Sequence, residues 1–188
     1  MKIYKKIVPQ GFDYSSQNEL YGQMPQNIKS VLGKKNSSKR MLSLLGWQLL
    51  AEKLPNEVLL SEVQFEEKGK PFIPNSNIYF NISNTKGIVV LAIHNRPVGI
   101  DVERLREPKE VIYSRVFCSE EVRFIKCPED FTRLWTRKEA VVKLFGGGLS
   151  MGLNSFSVLS DEFDVFGKRV KLEPVIIDGF IAHSAVYA

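Results

Sequence analysis

The sequence has few of the residues that mark secreted, membrane-spanning or histidine-based metal proteins. It contains two cysteines, Cys118 and Cys127, and two histidines, His94 and His183, among 188 residues. Two cysteines without a secretion signal favour free thiols over a disulfide, and the histidines lack metal-ligand spacing. No apolar run approaches the roughly 18 residues that cross a bilayer, and the N-terminus lacks the apolar core of a signal peptide. These absences predict a cytoplasmic protein without a membrane partner.

The composition is that of a soluble globular protein. Hydrophobic residues make up 44% and charged residues 25%, which argues against disorder. The length suits one domain or two small, closely packed halves. A net charge of +5 favours an anionic partner, which could be nucleic acid, a phosphorylated small molecule or an acidic protein.

The first part of the chain predicts a polar loop followed by a helix. The stretch from Gln10 to Asn27 is rich in Gln, Asn and Ser, and we expect a loop there with one short helix. A longer helix should begin at Ser37 or Ser38, either of which can cap it, and should end near Lys53. Its predicted buried stripe recurs at spacings of three, four and seven: Met41, Leu42, Leu45, Leu49 and Leu50.

The middle of the chain predicts three strands and then two helices. Strands at 78–83, 88–93 and 98–103 are separated by short turns, and we expect them to form an antiparallel meander. A short helix should begin at Ser119, and a longer one should run from Asp130 to Phe145, where glycines end it.

The C-terminal part returns to strands, which we expect at 155–160, 169–177 and 180–187. The order of elements predicts an α+β protein with two halves of similar size. We place the N-terminal half at residues 1–104 and the C-terminal half at residues 105–188.

The first chemical signal is a pair of carboxylates on a strand. Side chains alternate along a strand, so Asp101 and Glu103 point the same way while Ile100 and Val102 point into a core. Two nearby carboxylates repel each other, and a cation between them removes that penalty. Mg²⁺ suits such a pair because it takes oxygen ligands. A solvated strand face remains the alternative.

The second signal is Glu139 with Lys143, which lie four residues apart and share one face of the long helix. An ordinary surface ion pair is the alternative, and it would contribute only a few tenths of a kcal/mol by estimates for exposed helix pairs. The surrounding helix is apolar, which favours partial burial and therefore a site. The apolar neighbours are Leu134, Trp135, Val141, Val142 and Phe145.

Several short segments in a characteristic order carry a resemblance to a known family. They are Lys70-Pro71, Phe80-Asn-Ile-Ser83, Val98-Gly-Ile-Asp-Val-Glu103, Leu134-Trp135, Lys138-Glu139, Lys143, Gly147-Gly-Leu-Ser150 and Ser155-Phe-Ser-Val158. Over roughly Gly69 to Val158 the chain resembles the Sfp-like 4′-phosphopantetheinyl transferases. The joint occurrence of these segments is far more specific than any one of them.

The resemblance implies a fold and a metal site. Such enzymes are pseudodimers of two similar α/β halves, each a small antiparallel sheet with packed helices. They bind coenzyme A in the cleft between the halves with Mg²⁺, for which Mn²⁺ can substitute, on its pyrophosphate. By position, Asp101, Glu103 and Glu139 would be the metal ligands. Glu139 or a metal-held water would be the candidate base, and Lys143 would stabilise or protonate the departing 3′,5′-ADP.

The resemblance also implies a set of coenzyme A contacts: Arg40, Lys70, Pro71, Ser83, Asn84 and Lys143. One departure from the family lies among them, because Asn84-Thr85 stands where the family commonly has His-Ser. Asparagine still donates a hydrogen bond but carries no charge. We therefore expect weaker or differently balanced coenzyme A binding, without loss of activity.

The expected function is that of a holo-[acyl-carrier-protein] synthase. It would transfer 4′-phosphopantetheine from coenzyme A to a serine of an acyl or peptidyl carrier protein, as a monomer. The alternatives are a Mg²⁺-dependent nuclease and a non-catalytic module that binds coenzyme A or a carrier. Scattered basic residues, with no stripe interleaved with aromatics, argue against a nucleic-acid partner. Three carboxylates with Lys143 argue against a non-catalytic module.

Overall fold

Two larger antiparallel sheets, one short two-stranded sheet and packed helices form the protein in the computed structural model, which describes residues 1–8, 17–33, 37–107 and 110–188. The elements in chain order are β1 Lys2–Ile7, α1 Gln17–Gln23, α2 Gln26–Leu32, α3 Ser37–Lys53, β2 Gln64–Phe65, β3 Pro71–Phe72, β4 Tyr79–Thr85, β5 Ile88–His94, β6 Val98–Glu103, α4 Glu110–Val116, α5 Ser119–Phe124, α6 Pro128–Phe145, β7 Glu162–Val165, β8 Lys168–Pro174 and β9 Ile181–Tyr187. The predicted α+β class, with small antiparallel sheets and packed helices, is confirmed.

The first sheet has the order β1-β5-β4, with β5 in the centre. One face of β5 packs against α3, which is buried along the predicted stripe except at the half-buried Leu42. The other face, which carries Ile88, Val90 and Ala92, forms a second core with β6 of the other sheet. The predicted first two strands of the meander and the long helix at 37–53 are therefore confirmed.

The third strand of the predicted meander is wrong. β6 does not pair with β5, because it is the edge strand of a second sheet with the order β6-β9-β8-β7. β4 and β6 still lie side by side, and the side chain of Asn81 accepts the backbone N–H of Ile100 at 3.0 Å. A side chain thus satisfies a backbone donor that a meander would pair with a carbonyl.

The two sheets meet at the turn between His94 and Val98, since β6 belongs to the second sheet. β6 lies before the expected boundary between residues 104 and 105, but it pairs with β9 in the second sheet. The change from the first sheet to the second therefore falls between β5 and β6, before that boundary. The halves 1–104 and 105–188, and the pseudodimer, stay predictions.

Helix α6 packs directly on β6. It begins two residues before the predicted start, with proline in its first turn, and Gly146 at φ 74° ends it in the left-handed conformation. A Cβ on Gly99 would lie 2.0 Å from the carbonyl oxygen of Ala140, so only glycine permits this approach. The face of β6 that carries Gly99 therefore lies against α6, and Asp101 and Glu103 share that face.

The predicted strand at 155–160 is wrong, because side chains of α6 hold its backbone. Arg137 donates to the carbonyls of Val158 and Ser160, both at 2.6 Å, and Lys138 donates to the carbonyl of Phe156. The sequence pattern did not predict helices α2 and α4 or strands β2, β3 and β7. The predicted strands at 169–177 and 180–187 appear as β8 and β9.

Some expectations fall partly outside the described residues. α1 and the start of α2 lie in the polar stretch 10–27, of which residues 10–16 are outside the described ranges. The capping by Ser37 or Ser38 depends on side chains that are not described. Cys118 and Cys127 are free thiols, as expected. Across the described ranges, the helices are too short or too polar to cross a membrane.

Candidate active site

The site lies on the seam between β4 and β6, where two hydroxyls meet two carboxylates. Ser83 donates its hydroxyl to Oδ1 of Asp101 at 2.8 Å, and Thr85 donates its hydroxyl to Oε2 of Glu103 at 3.0 Å. The two hydroxyl residues are two apart on β4, and the two carboxylate residues are two apart on β6. One face of each strand therefore supplies the contacts. The seam therefore presents both predicted metal carboxylates toward α6.

Asp101 is buried and has one engaged oxygen and one open oxygen. Its Oδ1 accepts from Nζ of Lys143 at 2.7 Å as well as from Ser83, and Lys143 also donates to the hydroxyl of Ser83 at 2.7 Å. Its Oδ2 is buried without a hydrogen-bond partner among the described residues. A buried carboxylate oxygen without a donor is costly unless something positive binds it.

Glu103 is half-buried and has a donor on each oxygen. Its Oε1 accepts from Nη1 of Arg106 at 3.0 Å, and its Oε2 accepts from Thr85. The guanidinium of Arg106 lies 4.7 Å from the ring centroid of Trp135 on α6, a distance typical of a cation–π contact. Burial, with help from the Asp101 carboxylate, raises the pKa of Glu103 above its ordinary value.

Glu139 projects from α6 into the same acidic patch. Burial raises its pKa from the ordinary 4.5 to about 7, and the carboxylate of Asp101 adds to the shift. Lys143, four residues along the helix, opposes the shift but does not cancel it. A carboxyl group that titrates near neutral pH is suited to proton transfer.

The three carboxylates form a patch but not a complete metal cage. Within the described ranges, no three His, Cys, Asp or Glu side chains are close enough to hold a metal ion by themselves. Mg²⁺ commonly takes only one or two carboxylates and completes its shell with water and substrate phosphates. The open Oδ2 of Asp101 fits such a cation, as do the carboxyl groups of Glu103 and Glu139, whose pKa is raised by burial and by neighbouring negative charge.

A groove of about 240 Å³ lies beside Lys143 and is lined by three of the six predicted coenzyme A contacts, Lys70, Pro71 and Lys143. Its lining includes Lys68, Lys70 and Pro71, with Gly146 and Gly148 after α6. The basic side chains and open glycine backbone suit an anionic ligand.

Lys70 bridges the groove, because its ammonium donates to the carbonyl of Leu144 at the end of α6. Burial lowers the pKa of Lys70, and the carboxylate of Glu66 opposes that shift. Lys70 thus ties the first half of the chain to the helix that carries Glu139 and Lys143.

A second groove of about 160 Å³ shares Gly69 and Pro71 with the first and extends toward α3. Asn84 lines it together with Trp47 and Ser43. The residue that departs from the family pattern therefore faces a groove, on the side of β4 away from the carboxylates.

Arg40 is not brought to these two grooves in the described part of the chain. It lies in the first turns of α3, with its guanidinium 5.6 Å from the ring centroid of Tyr21. Its nucleotide contact stays a prediction.

A larger cavity, of about 510 Å³, lies toward the start of β4 and β6. Its described lining is mostly apolar, includes Ile73, Pro97 and Phe145, and contains none of the three carboxylates. Charge and hydrogen bonding, not volume, therefore locate the candidate active site.

Sequence reasoning missed two residues that touch the acidic patch. The sequence marks Thr85 only as a departure from the family pattern, although its spacing from Ser83 places both hydroxyls on one strand face. Arg106, three residues after Glu103, forms an ion pair with it. No local pattern indicates that Trp135 would lie under the Arg106 guanidinium.

A family model and several characterised proteins match this chain. The model of the 4′-phosphopantetheinyl transferase superfamily matches residues 97–178. The 4′-phosphopantetheinyl transferase gsp of Aneurinibacillus migulanus is 34% identical over 164 residues, which is 84% of this chain and 65% of that protein. The 4′-phosphopantetheinyl transferase Sfp of Bacillus subtilis strain 168 is 34% identical over 127 residues, 62% of this chain and 57% of that protein.

The aligned regions cover only part of each of these two relatives. The chain spans less than two thirds of the length of both proteins. The matched regions contain the acidic patch, because the family model begins at Pro97 and extends past α6.

Proposed function

Because this chain belongs to the 4′-phosphopantetheinyl transferase superfamily, we propose that it transfers the 4′-phosphopantetheine group of coenzyme A to a serine of a carrier protein. One observation carries the proposal: Asp101, Glu103 and Glu139 form one acidic patch beside a basic groove, with Lys143 between patch and groove. Such an arrangement suits a reaction on a pyrophosphate.

We assign Asp101, Glu103 and Glu139 as the residues that would hold Mg²⁺ or Mn²⁺ together with substrate phosphates. The cation, when bound, neutralises phosphate charge and makes the phosphorus easier to attack. The open Oδ2 of Asp101 supports this assignment. Glu103 is held in place by Thr85 and Arg106, so its carboxylate would be presented to the cation in a fixed orientation.

Glu139 is the proposed general base. Its ionised carboxylate would accept the hydroxyl proton of the carrier serine. The serine oxygen then bonds to the phosphorus that carries pantetheine, and the bond from this phosphorus to the bridging oxygen breaks. The leaving group is 3′,5′-ADP.

Lys143 is the proposed partner of that leaving group. An ammonium has three N–H donors, and Lys143 gives two of them to Asp101 and Ser83. The third N–H is left for a phosphate oxygen of the substrate. Lys68 and Lys70 line the adjoining groove and would attract the anionic nucleotide, with Pro71 forming part of its wall.

The finer assignments are also proposals. An acyl or peptidyl carrier is the expected acceptor, which would make the protein a holo-[acyl-carrier-protein] synthase or a broader transferase of the same type. The cytoplasm, where carriers and coenzyme A occur together, is the expected compartment. Ser83 and Asn84 are expected at the coenzyme A site.

The test is incubation with coenzyme A, Mg²⁺ and a panel of apo acyl and peptidyl carriers, followed by intact-mass measurement of each carrier. The expected result is a gain of one 4′-phosphopantetheine on at least one carrier, with release of 3′,5′-ADP. Asp101→Asn should reduce the rate at least about 100-fold, because it removes a charge that acts on the pyrophosphate. Asp164→Asn, an exposed aspartate paired with Arg169, is the matched control and should keep the rate.

Two outcomes contradict the proposal. Binding of coenzyme A without modification of any carrier would indicate a non-catalytic module. Absence of both binding and modification would redirect the search to nucleic-acid cleavage.

A further inference from the structure

Strand β4 has two faces that serve different parts of the site. Thr85 is paired in register with Ile88, whose side chain lies in the core between the two sheets. Asn84 is paired with Val89, whose side chain lies in the core beneath α3. Adjacent residues on a strand point to opposite faces, so Thr85 points toward β6 and Asn84 points toward the groove beside α3.

The link between Thr85 and Glu103 belongs to a ladder made of side chains. β4 and β6 are edge strands of different sheets, so backbone hydrogen bonds do not align them. Three contacts do so instead, at every second residue of β4: Asn81 to the Ile100 N–H, Ser83 to Asp101 and Thr85 to Glu103. The direction of each carboxylate is therefore set by a hydroxyl from the opposite strand.

We propose that Thr85 is a positioning residue that orients the Glu103 carboxylate for the cation, and that it acts independently of Asn84, whose place at the coenzyme A site is part of the proposed function. The inference rests on the proposed function for the identity of the cation and the nucleotide. The two substitutions relative to the family's His-Ser therefore differ in their consequences. Threonine keeps the hydroxyl of serine, whereas asparagine lacks the charge of histidine. The chain retains the support of its metal carboxylate and changes only its nucleotide contact.

Threonine suits this role better than most residues of its size. Its branched Cβ restricts χ1 and favours a strand, so the hydroxyl is held in one direction. Hydrogen-bond partners of metal ligands typically change metal affinity by about 10-fold to 100-fold when they are removed. Arg106 holds the other oxygen of Glu103, so the loss of Thr85 would release one end of the carboxylate and not both.

The first test measures Mn²⁺ binding to the full chain without nucleotide, by electron paramagnetic resonance of free Mn²⁺. Thr85→Val removes the hydroxyl at nearly constant shape and should weaken Mn²⁺ binding about 10-fold. Thr85→Ser should restore the affinity. Thr136→Val is the matched control: its hydroxyl contacts His183 and the carbonyl of Arg133, so its loss should leave Mn²⁺ affinity unchanged.

The second test measures binding of 3′,5′-ADP in EDTA, by isothermal titration calorimetry. Asn84→His should tighten binding about 3-fold to 10-fold at a pH where histidine is charged, because a charged donor binds phosphate more strongly than an amide. Thr85→Val should leave this affinity unchanged, and Asn84→His should leave Mn²⁺ affinity unchanged. The two neighbouring positions then act independently.

Three results would overturn the inference: equal Mn²⁺ affinity in Thr85→Val and the unaltered chain, failure of serine to restore it, or no Mn²⁺ binding by the unaltered chain. These results differ from failure of the proposed function. Carrier modification by the unaltered chain, with Mn²⁺ binding insensitive to Thr85, rejects only the positioning role. Thr85-dependent Mn²⁺ binding without carrier modification supports the positioning role and rejects the transferase.

Discussion

Helix α6 carries two lysines, Lys138 and Lys143, that form ion pairs of opposite character. Lys138 and its partner Glu121 are both fully buried, 2.8 Å apart. Lys138 also donates to the carbonyls of Leu153 and Phe156, and Glu121 accepts two backbone N–H groups. Every contact of this pair is made within the protein, so the pair is complete.

The pair of Lys143 with Asp101 is incomplete. Lys143 is 26% exposed and keeps one N–H beyond its contacts to Asp101 and Ser83, and Asp101 keeps a buried oxygen without a donor. Both pairs are close ion pairs, so distance alone does not separate a structural pair from a site. The difference lies in what each pair leaves unsatisfied, and a ligand that supplies charge can complete only the second.

The largest expected effect comes from breaking the complete pair. Lys138→Met leaves the Glu121 carboxylate buried without its cation and should lower the free energy of unfolding by about 3 to 5 kcal/mol. Urea denaturation followed by circular dichroism measures the change. The double variant Glu121→Gln with Lys138→Met removes both charges, and the glutamine oxygen can still accept one of the two backbone N–H groups, so the variant should regain part of the loss. A double variant as unstable as the single one would show that the lost charge is not the cause.

The second effect concerns Glu139 and pH. Its folded-state pKa of about 7 lies above the ordinary 4.5, so the fold disfavours its ionised form. Without metal, the contribution of Glu139 to the free energy of unfolding should fall as pH rises from about 4.5 through 7 and then level off. Burial lowers the pKa of His183 to about 4, so His183 contributes in the opposite direction, and comparison with Glu139→Gln isolates the carboxyl group. Glu139→Gln does not ionise, so at about pH 8 it should be more stable than the unaltered chain by about 2 kcal/mol.

Urea denaturation in EDTA across this pH range measures the difference, and saturating Mg²⁺ should reduce it. Identical pH profiles for the two proteins would contradict the raised pKa. A gain in the stability of the unaltered chain relative to Glu139→Gln as pH rises would show that the pKa of Glu139 is lowered, not raised.

The smallest expected effect comes from removing the ammonium of the incomplete pair. Lys143→Met leaves three carboxylates without their nearest ammonium and should lower metal-free stability by about 1 kcal/mol. Mg²⁺ should then raise the melting temperature of the variant more than that of the unaltered chain, because the cation replaces the lost charge. Thermal unfolding against Mg²⁺ concentration tests this, with Lys171→Met, an exposed pair with Glu173, as control. A Mg²⁺ response equal to that of the control would contradict the prediction.

Local periodicity was enough to predict which side chains face the site. Strand alternation placed Ile100 and Val102 in a core, which the structure confirms, and Asp101 and Glu103 together on the other face. The spacing of Glu139 and Lys143 likewise follows from helix geometry. These features depend only on the internal geometry of one element. The roles given to the residues stay predictions.

Errors arose where backbone partners come from distant side chains. β6 reads as a third meander strand, but Asn81 takes the N–H of Ile100 and Gly99 lets β6 pack against α6. The segment 155–160 alternates like a strand, yet Arg137 and Lys138 take its carbonyls. No local pattern reveals that a charged side chain far along the chain will replace a neighbouring strand.

The pairing of β6 with β9 also governs the order in which the site is assembled. Asp101 lies opposite His183, so the strand bearing two of the carboxylates gains its sheet partner from a segment that the ribosome makes after β7 and β8. Contacts between such distant segments form late, because the intervening chain must first be closed into a loop. A nascent chain that has reached α6 holds all three carboxylates but lacks the strand that fixes two of them. The acidic patch therefore matures only as the last strand of the sheet is added.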